Sequence, residues 1–491
     1  MLLTRSGLSK SKIISLLQCE KKLWMSSYKK DDASHELVVS SRMESGTTLG
    51  TLARELFPGG SLVENFDPSS AEVRTKLLLQ KKAGPIYEAM FIYNDIQVFI
   101  DILVPEKDGY HLIEIKSSTK VRDQHIIDAA IQTWVAKKAG LKINRTSVGC
   151  INNLFVYPGG GDYDGLFYLT DVTNDVSKYS SATKDWIKSA RETLSKPEPS
   201  IPMGSHCKAP YRCEFEDYCK SLTPNLPIYP LRDLRLKKSK QEELESRGYT
   251  DLLEVPINLI DDPKKVKLHQ SILSGENYVS DNAKKEIEAI AYPRYYLDFE
   301  TIASAIPIWP GTAPYAQIPF QWSCHIEHSD GDIEHKEFLA EPNEDPQEAC
   351  MKSLMNLFHG FKNGSMIAYN AGFEKKVLHN LASLYPESQA LFNGICNKTY
   401  DLLPFCRSNF YNRDMHGSWS IKHVLPAIAP DLNYQALEIA NGQMAQTAFV
   451  KMCVEGLSGD EIIKLRADLL KYCKLDTLAM VKIVRYFCER P

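Results

Sequence analysis

Two carboxylates open the chemistry of this chain. Residues 295–301 read YYLDFET, a short apolar run that ends in Asp298 and Glu300. Side chains alternate along a strand, so residues two apart share a face. Two anions ~4 Å apart repel by roughly 4 kcal/mol at an effective dielectric of ~20. A fold keeps such a pair where a cation or a shared proton offsets that cost. Two later stretches add to this chemistry. Residues 366–369 (MIAY) read as a buried strand, followed by Asn370, Phe373 and Glu374 and a helix. Residues 458–461 (SGDE) form a capping box, opening a helix that bears Tyr472 and Asp476. Spaced i and i+4, those two share one helix face. Asp401, within TYDL, is either a further acid near the site or a turn aspartate.

A second constellation lies upstream. Asp101 sits in 96–104 (IQVFIDILV), and Asp108-Gly109 makes a hairpin turn. The next strand, 110–118 (YHLIEIKSS), puts Glu114 and Lys116 on one face, where Asp101 meets them from the neighbouring strand. Gln132 follows on a helix with Asp128 and Trp134. Such acids suit Mg²⁺ or Mn²⁺, and a lysine beside them can position a water or help deprotonate it. Four cysteines frame this stretch: Cys19 early, then Cys207, Cys213 and Cys219 with two equal gaps of five residues. Four thiolates suit zinc or an iron–sulfur cluster. Zinc modules more often pair cysteines as C-x-x-C, so the wide gaps lean away from zinc. The other cysteines are scattered and read as ordinary thiols.

The C-terminal order is Asp-x-Glu on a strand, Asn-x-x-Phe-Glu after a strand, and Tyr-x-x-x-Asp on a helix. It resembles the DnaQ-like DEDD exonucleases of the subclass with tyrosine in the third motif. Glu374 stands where most of that family has aspartate. The wording LDFET, PFQWS, YNAGFEK and GSWSIKHVLP resembles a bacterial domain of unknown function often fused to RecB-like nucleases. Asp101 with Glu114-x-Lys116, between one early and three late cysteines, resembles the RecB-like iron–sulfur nucleases of the PD-(D/E)XK type. These include CRISPR-associated adaptation nucleases and AddB-type repair subunits.

The resemblances imply a two-centre nuclease that hydrolyses phosphodiester bonds, of DNA rather than RNA, in repair or defence against mobile elements. Asp298, Glu300, Glu374 and Asp476 would hold Mg²⁺ or Mn²⁺, with Tyr472 orienting or deprotonating the attacking water and 3′→5′ polarity. Asp101 and Glu114 would hold an ion beside Lys116 and Gln132. Cys19, Cys207, Cys213 and Cys219 would hold a structural 4Fe–4S cluster. Relatives carry a metal-binding histidine in the first core helix; residues 46–59 contain none. Glu55 or Glu88 is the replacement, with Glu88 favoured by its strand position. Ala136 stands at the family's tyrosine position, where Trp134 is the substitute. Two other readings are an RNA-processing exonuclease using the C-terminal site alone, and a nucleic-acid-binding adaptor with decayed sites.

Around these motifs the 491 residues suggest about three domains. The expectation is α/β multidomain. A restriction-endonuclease-like domain spans 1–221, a helical linker domain 222–290, and an RNase H-like exonuclease domain 291–491. At 43% hydrophobic and 24% charged residues, the composition suffices for real cores. The net charge of −4 gives no global attraction for nucleic acid, so a polyanion must meet local basic patches. No apolar run of ~18 residues and no signal peptide are visible, so no membrane partner is expected and the cytoplasm is the expected compartment. Residues 1–30 read as one basic amphipathic helix, with Ile13, Leu16 and Leu17 on one face. Residues 224–230 have linker composition, 231–240 are basic, and short helices follow around 248–253 and 264–274. This region is a helix-hairpin-helix-like backbone binder or a solvated spacer. Residues 317–340 read as a hairpin, and 345–348 start a crossover helix. Lys422 is a phosphate contact or a surface lysine.

Overall fold

The structure is a computed structural model. It describes residues 7–34, 42–64, 67–82, 84–222, 236–432, 434 and 436–489, with no account of the side chains of 42–47. The linker expected at 224–230 and the basic residues 231–235 lie outside the described residues. The chain is mixed α and β, with sheets of seven, five and two strands among the described residues. It divides into two compact units: Met1–Thr223 with Ala305–Pro314, and Pro224–Ser304 with Tyr315–Pro491.

In the first unit, strands Ser61–Leu62, Ile86–Tyr93, Ile96–Glu106, Gly109–Lys116, Ile143–Ile151 and Phe167–Asp171 lie side by side in that order. Along Ile96–Glu106 the apolar Ile96, Val98, Ile100 and Ile102 alternate inward, which turns Asp101 to the other face. Strands Gly109–Lys116 and Ile143–Ile151 are parallel, and helix Asp123–Lys138 makes the crossover between them. The helix expected over 1–30 is two helices, Lys10–Gln18 and Glu20–Tyr28. Cys19 between them is extended, with φ −167° and ψ 127°, and its N–H donates to the Ser15 carbonyl to close the first. Ile13 and Leu16 are buried as expected, but Leu17, at the end of the shorter helix, is 40% exposed. Residues 305–314 complete this unit. Gly311 N–H donates to the Tyr157 carbonyl at 2.8 Å, Tyr157 N–H to the Thr312 carbonyl at 2.9 Å, and Tyr163 Oη to the Pro307 carbonyl at 3.1 Å.

In the second unit the sheet order is Ile333–Leu339, Ile318–Glu327, Arg294–Ile302, Ser365–Ala368, Thr399–Asp401. The first three strands run antiparallel; the last two continue parallel to the central one. The expected hairpin is therefore Ile318–Glu327 with Ile333–Leu339. The expected crossover helix is Pro346–Leu357, whose N-cap Asp345 accepts from Gln347 N–H at 3.0 Å. Helix Gly459–Cys488 packs on the central strands, and its Ser458–Glu461 capping box is formed as expected. Helices Lys238–Ser246, Pro263–Ser274 and Ala283–Glu288 belong to this unit. Their Leu244, Ile272 and Ile287 share one core with Phe410, Val484 and Phe487.

Candidate functional site

In the second unit, strand Arg294–Ile302 offers Asp298 and Glu300, and helix Gly459–Cys488 offers Tyr472 and Asp476. Ligand oxygens of Asp298, Glu300 and Asp476 all lie within 4.8 Å of one another. Among the described residues no other three Asp, Glu, His or Cys side chains converge so closely. The expected repulsion is visible in the proton affinities. Burial, then the charges of Asp476, Glu300 and Glu374, push Asp298 well above the usual carboxylate range. Burial and Asp476 raise Glu300 to about 8. Burial raises Asp476 to about 6, held back by the hydrogen bond from Tyr434. That bond, from Tyr434 Oη to Asp476 Oδ1, is 2.6 Å. Burial also pushes the Tyr472 hydroxyl pKa up, reinforced by Asp476, Glu300 and Asp298.

Glu374 lies outside that triad but beside it. It is buried in the first turn of helix Gly372–Leu384, and its Oε2 has no hydrogen-bond partner among the described residues. Burial raises it to about 8, with Asp401 adding to the shift. Asp401 itself is committed locally: one oxygen accepts from Asn370 N–H at 2.9 Å and from Leu403 N–H at 3.0 Å, capping helix Leu402–Asn409. Lys422 is no mere surface lysine. Its ammonium donates to Tyr472 Oη at 3.4 Å and to the Ala440 carbonyl, and stands 5.1 Å from the ring centres of both Tyr434 and Tyr472. At Gly442 a Cβ would sit 3.3 Å from Glu300 Oε2, so glycine there leaves the carboxylate room. Asp298, Glu300, Tyr472, Asp476, Lys422 and Arg407 line a cavity of about 690 Å³.

In the first unit Glu114 is buried and held from three sides. Lys10 and Lys116 reach its Oε1 at 3.0 and 2.6 Å, and Gln132 donates to its Oε2 at 2.5 Å. Lys10 also meets Asp128 at 2.9 Å, and Lys116 pairs with the same carboxylate. Burial would raise Glu114, but the two lysines hold it well below the ordinary value. Burial would likewise lower Lys116, yet Glu114, Asp128 and Asp101 keep it well above the ordinary lysine value. In the ion-free site these carboxylates favour the charged form of Lys116. Asp101 accepts from Ile115 N–H at 2.7 Å; burial and the Glu114 charge push it up. Pairs Tyr87↔Ile102 and Ala89↔Ile100 flank Glu88 and Asp101, so Glu88 stands across from Asp101. Glu88 has φ +55°, a left-handed conformation costing a non-glycine residue about 1–3 kcal/mol. Arg54 contacts it at 3.4 Å. Glu55 is exposed in the turn after helix Arg42–Arg54, and of the two expected substitutes Glu88 alone faces the acids.

Sequence reasoning missed Lys10 and Tyr434 and left Asp128 without a role. Asp128 was readable, one turn before Gln132 on the same helix face. Lys10 was not, since 104 positions separate it from Glu114.

Cys19, Cys207, Cys213 and Cys219 line one small cavity with Met25 and Phe215. Gln18 ties the chain's first helix to this loop, donating to the carbonyls of His206 at 2.8 Å and Tyr211 at 2.7 Å. Cys213 N–H donates to the Cys207 carbonyl at 2.8 Å, and burial raises the Cys213 thiol to about 11.

Residues 295–420 match a protein family described as a domain of unknown function (DUF2779). The match takes in Asp298, Glu300, Glu374 and Asp401 and stops short of Tyr472 and Asp476. The chain is similar to an uncharacterized protein of Ureaplasma parvum, 28% identical over 217 residues, covering 40% of this chain and 31% of that protein. It is also similar to an uncharacterized protein of Mycoplasma genitalium, 28% identical over 210 residues, 39% of this chain and 32% of the other. A Mycoplasma pneumoniae homologue is 25% identical over 222 residues, 42% and 33% of the two chains. The matched part of this chain thus spans about a third of the length of these relatives.

Proposed function

We propose that the chain is a divalent-metal-dependent nuclease with two hydrolytic centres. The second unit is read as an RNase H-like DEDD exonuclease, and the first as a PD-(D/E)XK nuclease. The observation that carries this reading is the convergence of Asp298, Glu300 and Asp476 within 4.8 Å. The donor set is all hard carboxylate oxygen, which suits Mg²⁺ or Mn²⁺. Glu374 fits as a fourth ligand because its Oε2 is buried without a hydrogen-bond partner. Ions bound there would supply an activated water and charge to stabilise the leaving oxygen.

The chain's own groups supply the rest. Tyr434 holds Asp476 by its hydrogen bond. Tyr472 stays neutral and, fixed by Lys422, offers its hydroxyl to orient a water. Lys422 and Arg407 on the cavity wall meet the charge of a phosphate. In the first unit Glu114, Asp101 and Glu88 would hold an ion, and Lys116 acts as a charged donor to phosphate or water. Gln132 fixes Glu114.

The four cysteines line one small cavity and are read as the ligands of a 4Fe–4S cluster, following the resemblance; four thiolates also suit zinc.

DNA shortening from 3′ ends, in repair or defence, is the proposed activity. The test is Mn²⁺-dependent digestion of end-labelled single-stranded DNA and RNA by wild type, Asp298→Ala and Glu114→Ala. Loss of an outer-shell partner already costs metal sites ~10–100-fold, so each ligand loss should cost at least ~100-fold in its own activity. If Glu114→Ala leaves all cleavage intact, the two-centre reading fails. If no nucleic acid is cut with either ion, the nuclease reading fails as a whole.

A further inference from the structure

A groove of about 1170 Å³ opens in the first unit, lined in part by Ala130, Trp134 and Lys137 of helix Asp123–Lys138. At ~100° per residue these three lie roughly opposite Asp128 and Gln132 on the same helix. The groove is therefore on the reverse face from the Glu114 site and is no extension of it.

Its charge is lopsided. Lys137, Lys138, Lys178, Lys184, Lys188 and Arg191 line it against a single carboxylate, Glu192. This concentration occurs in a chain of net charge −4. Some of the charge is answered locally: Lys178 meets Asp175 at 2.6 Å, Lys188 meets Glu192 at 3.8 Å, and Arg191 donates to the Asn94 carbonyl. Lys137, Lys138 and Lys184 are exposed and make no ion pair among the described residues. The walls are apolar at Val176 and Ile187. Trp134 is half-buried, edge-on to Tyr93 at 5.7 Å, with the Lys138 ammonium 5.8 Å from its ring centre.

We propose that this groove binds single-stranded nucleic acid, with phosphates on Lys137, Lys138 and Lys184 and a base stacked at Trp134. Cations tracking a backbone beside an aromatic platform are what an unpaired strand needs, because its bases present free ring faces. A duplex hides those faces, and a flat bilayer does not enter a concave groove. The inference goes beyond hydrolysis: the groove holds a strand that the acidic sites do not themselves grip.

The test measures binding alone. The full chain is titrated in EDTA into fluorescein-labelled oligothymidylate at several salt concentrations, following anisotropy. Lys137→Glu/Lys138→Glu/Lys184→Glu, three changes at exposed positions, should weaken binding at least ~10-fold. It should also flatten the log–log salt slope by about 2, at ~0.7 per lost phosphate contact. Trp134→Ala should weaken binding ~5- to 150-fold, the range of one lost base stack, with the slope unchanged, and Trp134→Phe should restore it. Wild-type affinity and slope in the triple variant would overturn the proposal. So would full binding by Trp134→Ala, or displacement of the oligonucleotide by phosphatidylserine vesicles. A chain that binds through the groove but cuts nothing keeps this inference and loses the nuclease reading. A chain that cuts, yet binds equally well without the three lysines, does the reverse.

Discussion

Asp298, Glu300, Glu374 and Asp476 store charge that the ion-free protein resists. With Glu300 and Glu374 raised to about 8 and Asp476 to about 6, the folded chain binds more protons than the unfolded chain through this range. A carboxylate raised on folding costs stability as it ionises, so stability falls as pH rises from the unfolded values of ~4 towards 8. In EDTA the second unit should melt at lower temperature at pH 8.5 than at pH 5.5, and Mn²⁺ should restore it at pH 8.5. Glu300→Gln/Glu374→Gln should flatten this dependence; an equally steep one in that variant would refute the assignment. Mn²⁺ binding should weaken below pH 8 and release protons, which titration calorimetry in buffers of differing ionisation heat reads directly. At this scale Asp298, Glu300, Tyr472 and Asp476 were legible because spacings of two on a strand and four on a helix fix a common face. Tyr434 was not legible, since it comes from no periodic element. The strength with which Lys116 is held charged was also hidden, because Asp128, from the following helix, adds to Glu114 and Asp101.

Elements with local signals were legible; those depending on distant partners were not. The Ser458 capping box announces itself within four residues and forms; the hairpin signalled by Asp108-Gly109 also forms, but its turn is Lys107-Asp108, with Gly109 already paired to Glu106. Ser458→Ala should cost about 1 kcal/mol and lower the melting temperature by ~2–4 °C. Cleavage at 25 °C should hold, because Tyr472 and Asp476 lie several turns further along the helix. A large loss of activity at full folding would mean that the helix start itself positions the site. The two-residue strand Leu8–Ser9, parallel to Ile96–Gln97, leaves no pattern in sequence. Periodicity over 10–28 could not show the break at Cys19, which turns the second helix onto a new path while keeping its own hydrogen bonds satisfied.

For the whole molecule, the reading of 222–290 as a separate helical domain had no access to the partners of Leu244 and Ile287. The core they join includes Phe410 and Phe487, which lie more than 100 residues away and are invisible to local composition. The cysteine set carries its signal in its spacing, and the four thiols do line one small cavity. If Cys19 and Cys207–219 share a cluster, they close a loop worth on the order of 5 kcal/mol in chain entropy. Cys19→Ser should then lose bound iron and broad visible absorbance and melt the first unit well below wild type. Colourless wild-type protein with stoichiometric zinc would refute iron at this site.

Residues 305–314 carry one more consequence. The chain leaves the second unit after Ser304, contributes ten residues to the first, and returns at Tyr315. Cutting the gene after residue 223 therefore yields an N-terminal product missing the strip that hydrogen-bonds Tyr157 and Tyr163. An engineered protease site within 223–235, cleaved after folding, should give two bands on a denaturing gel and one peak in gel filtration. Separate peaks there would mean that the strip is dispensable.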